Sequence, residues 1–230
     1  MTPVTPEKSD TRADEVSPLL SVNELTIEFR TRSGTVHAVE DVAFTVRRGE
    51  TIGIVGESGS GKSVTAYALM KLLDPAGRIV RGRAIFDSLD LCAADEATMQ
   101  RIRGRDISMI FQNPRTALNP IRTVGSQIED VLVRLGERAG TESKAHELLS
   151  KVRIADPERR ARAFPFELSG GMCQRVMIAL AIACAPRLLI ADEPTTALDV
   201  TTQAEIMDLV RELTSERGMA TVLITHDLGL

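Results

Sequence analysis

The chain has 230 residues, of which 43% are hydrophobic, enough to bury a full core as one large domain or as one domain carrying an insertion. With a formal net charge of −4 and only 3% aromatic residues, it has neither the basic footprint nor the set of base-stacking side chains of a nucleic-acid binder. Cys92, Cys173 and Cys184 are scattered, form no C-x-x-C pair and suggest no disulfide framework, which fits a reducing compartment.

Residues 1–18 are polar, contain proline and have no apolar h-region, so they are expected to be a disordered lead-in rather than a signal peptide. Residues 25–29, 36–46 and 79–86 have β-rich, partly alternating patterns joined by polar turns such as Arg32-Ser33-Gly34-Thr35, which predicts a small antiparallel sheet.

Between the second and third of these strands, Ile52-Gly53-Ile54-Val55 runs into Gly56-Glu57-Ser58-Gly59-Ser60-Gly61-Lys62-Ser63. A strand followed by G-x-x-x-x-G-K-S is a phosphate-cradling P-loop, so the chain is expected to bind a nucleoside triphosphate. Gly56, Gly59 and Gly61 are expected to take φ > 0 and turn successive N–H groups inward as an anion nest. A helix is expected to begin near Gly61 and to carry Val64, Ala68, Leu69 and Leu72 on its apolar side. Its N-terminus faces the phosphates, Lys62 reaches the β and γ oxygens, and the Ser63 hydroxyl takes a place on Mg²⁺.

Further along, the apolar runs 51–55, 107–111, 188–191 and 221–225 are separated by helical stretches and predict buried strands of a parallel sheet. No strand signal occurs between residues 113 and 168. Ala145, Leu148, Leu149 and Val152 recur there at helical spacing, which predicts a helical insertion. The longest apolar run, 176–185, is stopped by Pro186 at about half the ~20 residues a membrane-spanning helix needs, so it reads as a buried core helix. A helix over 202–216 places Ile206, Leu209, Val210 and Leu213 on one buried face.

The strand 188–191 delivers Asp192 and Glu193 at its end, where ligands bind in open α/β sheets. Alone, such an acidic pair reads more simply as a solvated turn or helix cap. Beside a P-loop it reads as a Walker B pair, with Asp192 on Mg²⁺ and Glu193 polarising the attacking water as general base.

Leu168-Ser169-Gly170-Gly171-Met172-Cys173-Gln174-Arg175 is similar to the LSGGQ-type signature of ATP-binding cassette (ABC) ATPases. In that family Ser169, Gly170, Gly171 and Gln174 would act in trans, closing a helix N-terminus onto the γ-phosphate held by another subunit's P-loop. The resemblance extends to Gln112 as the Q-loop residue, linking Mg²⁺ and nucleotide to the docking surface, to Ala197-Leu198-Asp199 as the D-loop, and to His226 as the switch histidine. Phe29 is either the aromatic that stacks on adenine or a core strand residue. Residues 111–120 and 164–172 look most like the ATP-binding subunits of bacterial dipeptide/oligopeptide importers, with nickel and glutathione importers as near relatives. Cys173 departs from them by standing where they usually have Arg.

The resemblance implies a P-loop NTPase core with an N-terminal antiparallel β subdomain and an inserted helical subdomain at about 113–175, together forming a nucleotide-binding domain over 19–230. It implies ATP and Mg²⁺ as cofactors, and a second cassette, identical or homologous, as partner. Two transmembrane permease subunits and an extracytoplasmic solute-binding protein complete the implied assembly, at the cytoplasmic face of the inner membrane. The alternatives are a soluble ABC ATPase acting on DNA or ribosomes, or an assembly module that transports nothing. Family members continue past His226, so the sequence is expected to lack their usual C-terminal end and to leave a strand edge exposed.

Overall fold

The computed structural model describes residues 17–226. The lead-in expected over 1–18 falls, but for its last two positions, outside the described residues.

The N-terminal half contains β1 (Leu20–Thr31), β2 (Gly34–Val46), β3 (Thr51–Val55), α1 (Lys62–Leu69), β4 (Gly77–Phe86), β5 (Leu89–Asp90), α2 (Glu96–Ile102) and β6 (Ile107–Ile110). Five α-helices follow, α3 (Pro114–Ala117), α4 (Val124–Arg134), α5 (Thr141–Lys151), α6 (Pro157–Ala161) and α7 (Gly170–Ile182), with a 3-10 turn at Pro165–Glu167 before the last. The chain then forms β7 (Leu188–Asp192), α8 (Val200–Arg217) and β8 (Ala220–Thr225).

Two sheets result. β2-β1-β4-β5 is antiparallel, and β3-β8-β7-β6 is parallel. Both follow the expected strands, with β5 and α2 as elements the sequence pattern did not disclose. Successive side chains of a strand face opposite sides, and β7 feeds two cores in this way. Leu188 and Ile190 join the cluster containing β1, β2, β4 and α1, whereas Leu189 and Ala191 join the one built from α4, α5, α7 and α8. The parallel sheet is therefore the wall common to both.

β6, β7 and β8 are buried almost throughout, but β3 alternates between exposed and half-buried positions, and Val55 is 44% exposed. The expectation that β3 is a buried strand is corrected: it lies at the edge of the described sheet, with only β8 beside it. α1 is also shorter than its apolar pattern implied, ending at Leu69, so that Leu72 lies beyond it and is 40% exposed.

All elements between β6 and β7 are helical, as expected. A boundary at residue 175 would, however, cut through α7, whose buried residues belong to the same cluster as α8 and one face of β7. That shared core joins the helical segment to the sheet. The α8 face Ile206, Leu209, Val210 and Leu213 is buried as its spacing predicts.

Candidate functional site

The loop after β3 turns at residues 57–60, closed by a hydrogen bond from Ser60 N to Glu57 O at 3.2 Å. Gly59 and Gly61 have φ of 84° and 88°, a region where an L side chain is strained. A Cβ on Gly61 would also lie 2.3 Å from Ala38 O, so the start of α1 is seated directly on β2. Gly56 does not share the positive φ expected of it; a Cβ there would sit 2.8 Å from Ser60 Oγ, so a side chain at this position would displace that hydroxyl. Lys62 is 7% exposed and donates to Gly56 O at 2.6 Å and Glu57 O at 2.7 Å, laying its ammonium across the loop. Glu57, Ser58 and Ser60 are exposed, and Val64 is half-buried in α1.

The two acidic residues occupy different environments. Asp192 is fully buried, and its Oδ1 accepts a 2.8 Å hydrogen bond from Ser63 Oγ, which ties α1 to the end of β7. Burial pushes the Asp192 carboxyl above the ordinary aspartate range, and the Glu193 charge adds to the rise, while the Ser63 bond and Lys62 oppose it. Its Oδ2 is buried without a partner.

Glu193 has φ of 45°, and its N–H bonds Ile224 O at 2.9 Å, so the chain breaks from β7 under control of β8. Its carboxylate collects donors from three parts of the chain. Oε2 accepts from Gln112 Nε2 at 2.9 Å and from Thr196 Oγ1 at 2.7 Å, and Oε1 lies 3.3 Å from His226 Nδ1. Partial burial works to raise its pKa, but the combined hydrogen bonds from Thr196, His226 and Gln112 outweigh it and hold the carboxyl below the ordinary glutamate range. A carboxylate held ionised and within hydrogen-bond reach of its surroundings can accept a proton. Beside it, Glu193, Thr196, Gln203 and His226 help to line a cavity of about 150 Å³. Sequence reading singled out Gln112, Glu193 and His226 but missed Thr196; no motif spacing marks that hydroxyl, and only the turn at Glu193 discloses its use.

Ser169 caps α7, its Oγ accepting from Met172 N at 3.2 Å, and Asp199 caps α8, its Oδ1 accepting from Thr202 N at 3.0 Å. The two helix starts are packed together: a Cβ on Gly171 would lie 2.8 Å from Thr202 Cγ2. The signature and the D-loop segment thus form one surface. Among the described residues no hydrogen bond joins Ser169, Gly170 or Gly171 to the P-loop.

Gln174 is a correction to the expected set. It is 2% exposed on the inward side of α7 and its Nε2 is buried without a partner, so its side chain is not presented at the surface with the glycines. Phe29 packs half-buried on the first core cluster, its ring filling the space over Gly77.

A magnesium ion fits the residues present. No group of three or more His, Cys, Asp or Glu that could cage a metal occurs among the described residues. Mg²⁺ characteristically takes one or two carboxylates and relies on phosphate oxygens and waters for the rest. The orphaned Asp192 Oδ2 and the Ser63 hydroxyl, bonded to the same carboxylate, would supply such a set, to which Gln112 would add its amide oxygen.

Residues 39–196 match the family model described as ABC transporter. The chain is 50% identical over 218 residues to the oligopeptide transport ATP-binding protein OppD of Bacillus subtilis (strain 168), covering 94% of this chain and 61% of that one. It is 50% identical over 218 residues to a putative peptide import ATP-binding protein of Brucella melitensis biotype 1, covering 94% of this chain and 66% of that one. It is 48% identical over 215 residues to the dipeptide transport ATP-binding protein DppD of Bacillus subtilis (strain 168), covering 92% and 64%. The chain thus spans about three fifths to two thirds of the length of these relatives. Among solved structures, the ATP-binding cassette MJ0796, a dimer in a post-hydrolysis state bound to ADP and Pi, superposes with a TM-score of 0.80 at 30% identity, over 91% of this chain and 89% of that one. With the matched motifs, the two-sheet core and this likeness in sequence and shape, the chain belongs to the ABC transporter family.

Proposed function

We propose that this chain is the ATP-binding and ATP-hydrolysing subunit of an importer of peptides or a related small solute, acting through separate membrane subunits. The observation that carries the reading is the arrangement of Glu193, ionised and held by Gln112, Thr196 and His226, next to the Ser63–Asp192 pair. The relatives' names, for oligopeptide, dipeptide and peptide import, favour this over a soluble ATPase acting on DNA or ribosomes.

The loop amides, the α1 N-terminus and Lys62 would bind the β and γ phosphates, and Phe29 would stack on adenine. Ser63, Asp192 and Gln112 would hold Mg²⁺, which when bound neutralises charge on the β and γ oxygens. Glu193 would accept the proton of the attacking water as its oxygen bonds the γ-phosphorus and the bond to the ADP oxygen breaks. Ser169, Gly170 and Gly171 would close on the nucleotide of a second cassette, identical or homologous, with Asp199 beside them, so that ATP joins the two subunits and hydrolysis parts them.

Among the described residues no helix is long and apolar enough to cross a membrane. Translocation would run through separate transmembrane partners, with this chain at the cytoplasmic face of the membrane and a binding protein on the other side. A cavity of about 570 Å³ opens between the segment joining α2 to β6 and the end of α4. Arg101, Arg105 and Arg134 line it, and none is in an ion pair among the described residues. A permease segment bearing carboxylates would compensate them, with Val131 and Leu135 supplying apolar contact.

Reconstitution with permease subunits tests the function. ATPase activity should rise when a solute-loaded binding protein is added, and reversing Arg105 and Arg134 to Glu should weaken permease capture. ATPase activity indifferent to any permease, but stimulated by DNA or ribosomes, would overturn the import reading.

A further inference from the structure

The carboxylate of Glu193 has two donors on one oxygen. Gln112 Nε2 reaches Oε2 from the end of β6, and Thr196 Oγ1 reaches the same atom at 2.7 Å from three residues away. Thr196 is fixed relative to Glu193 by its own backbone, since Thr196 N bonds Glu193 O at 3.2 Å. The other two donors lie on separate segments, Gln112 at 81 residues' distance and exposed, and His226 with a side chain 57% exposed. Glu193 itself has a φ of 45°, a region that non-glycine residues adopt uncommonly.

We propose that Thr196 is a positioning residue for Glu193. Its hydroxyl, on the same turn, occupies Oε2 beside Gln112 and fixes the rotation of the carboxylate, so that Oε1, which has only His226 Nδ1 near it among these donors, is the oxygen that takes a proton. The hold is local and so does not depend on where the Gln112 and His226 segments stand. Gln112 and His226 then adjust a carboxylate whose plane is already set. This rests on the hydrolytic reading above and adds to it a residue that touches no reacting atom.

The test compares Thr196→Val, which keeps the branched shape and removes the hydroxyl, with Thr196→Ser, which keeps the hydroxyl, in the assembled ATPase. Misplacement of a reacting group by about 1 Å can cost on the order of 10²-fold. Thr196→Val should accordingly lower kcat by about 10- to 100-fold with KM and nucleotide affinity unchanged, and Thr196→Ser should return most of it. In a Glu193→Gln background, Thr196→Val should cause little further loss, because the two act as one unit. Parental kcat in Thr196→Val with an inactive Glu193→Gln would overturn the Thr196 assignment alone. So would equal losses in the Val and Ser variants accompanied by lower melting temperatures, which would mark Thr196 as a packing residue. Full activity in Glu193→Gln would sink the hydrolytic reading and, with it, the role given to Thr196.

Discussion

Ser63 donates its hydroxyl to Asp192 Oδ1 at 2.8 Å across 129 residues of sequence. The bond joins the first turn of α1 to the last residue of β7, and it passes over β8, which separates β3 from β7 in the sheet. The loop after β3 and the acidic strand end are thereby set in one frame. The cost is a fully buried carboxylate with one oxygen unpaired.

Asp192→Asn should therefore stabilise the metal-free chain. Because the folded pKa of Asp192 is raised, ionisation of this residue opposes folding above that pKa, and stability should increase as pH falls through it. The Asn variant should melt higher than the parent at neutral pH, by about 2–4 °C for each kcal/mol regained, and should lose that advantage in acid. Added Mg²⁺ and nucleotide should stabilise the parent but not the variant. A lower melting temperature for Asp192→Asn without metal would contradict the burial argument.

Glu193→Gln keeps size and hydrogen bonding but removes basicity. ATP hydrolysis should fall by on the order of 10²–10⁴ while nucleotide binding persists. The depressed pKa of Glu193 adds a pH signature: the carboxylate stays ionised through the ordinary glutamate range, so the acid limb of the kcat profile should lie below that range. Phosphate release across pH in the assembled complex measures both effects. Turnover close to the parent's in Glu193→Gln would eliminate this residue as the base.

Lys62→Ala and Ser169→Arg should fail differently. The first removes the cation that spans the loop, and nucleotide affinity of the isolated chain should drop. The second removes the α7 cap, at about 1 kcal/mol of stability, and places a large side chain on the surface formed by the α7 and α8 starts. Monomer binding should survive Ser169→Arg, while nucleotide-dependent association of two cassettes is lost. Titration calorimetry on the monomer and sedimentation of the ATP-bound form separate these outcomes; equal loss of monomer affinity in both variants would count against action across an interface.

Gly61→Ala should be the most damaging single-methyl change in the loop. It meets both a φ of 88° and an oxygen, Ala38 O, at 2.3 Å from the new Cβ. Nucleotide binding should be abolished and the melting temperature lowered, whereas Gly59→Ala, with open space around its Cβ, should lose less. Similar melting temperatures for the two variants would show that the contact with β2 yields easily.

The sequence by itself determined the features that depend on neighbours a few residues apart. Gly59, Gly61, Lys62 and Ser63 fix the phosphate loop, the 188–191 run fixes the strand ending in Asp192 and Glu193, and Ser169 and Asp199 fix two helix starts, because backbone propensity and capping act over one turn. What tertiary structure decided depends on which strand lies beside which. Insertion of β8 between β3 and β7 leaves β3 half exposed at an edge and brings Ile224 to the Glu193 amide. The inward side of α7 buries Gln174, although the same motif offers Gly170 and Gly171 at its start. The converging donors on Glu193 come from the ends of β6 and β8 and from Thr196 on the turn itself, and the opposite pKa shifts of Asp192 and Glu193 follow from that packing. Two carboxylates adjacent in the chain have the same local sequence context. Burial makes one costly to ionise, and hydrogen bonds from Thr196 on its own turn and from the distant Gln112 and His226 keep the other charged; the burial and the distant donors are not written in the residues next to them.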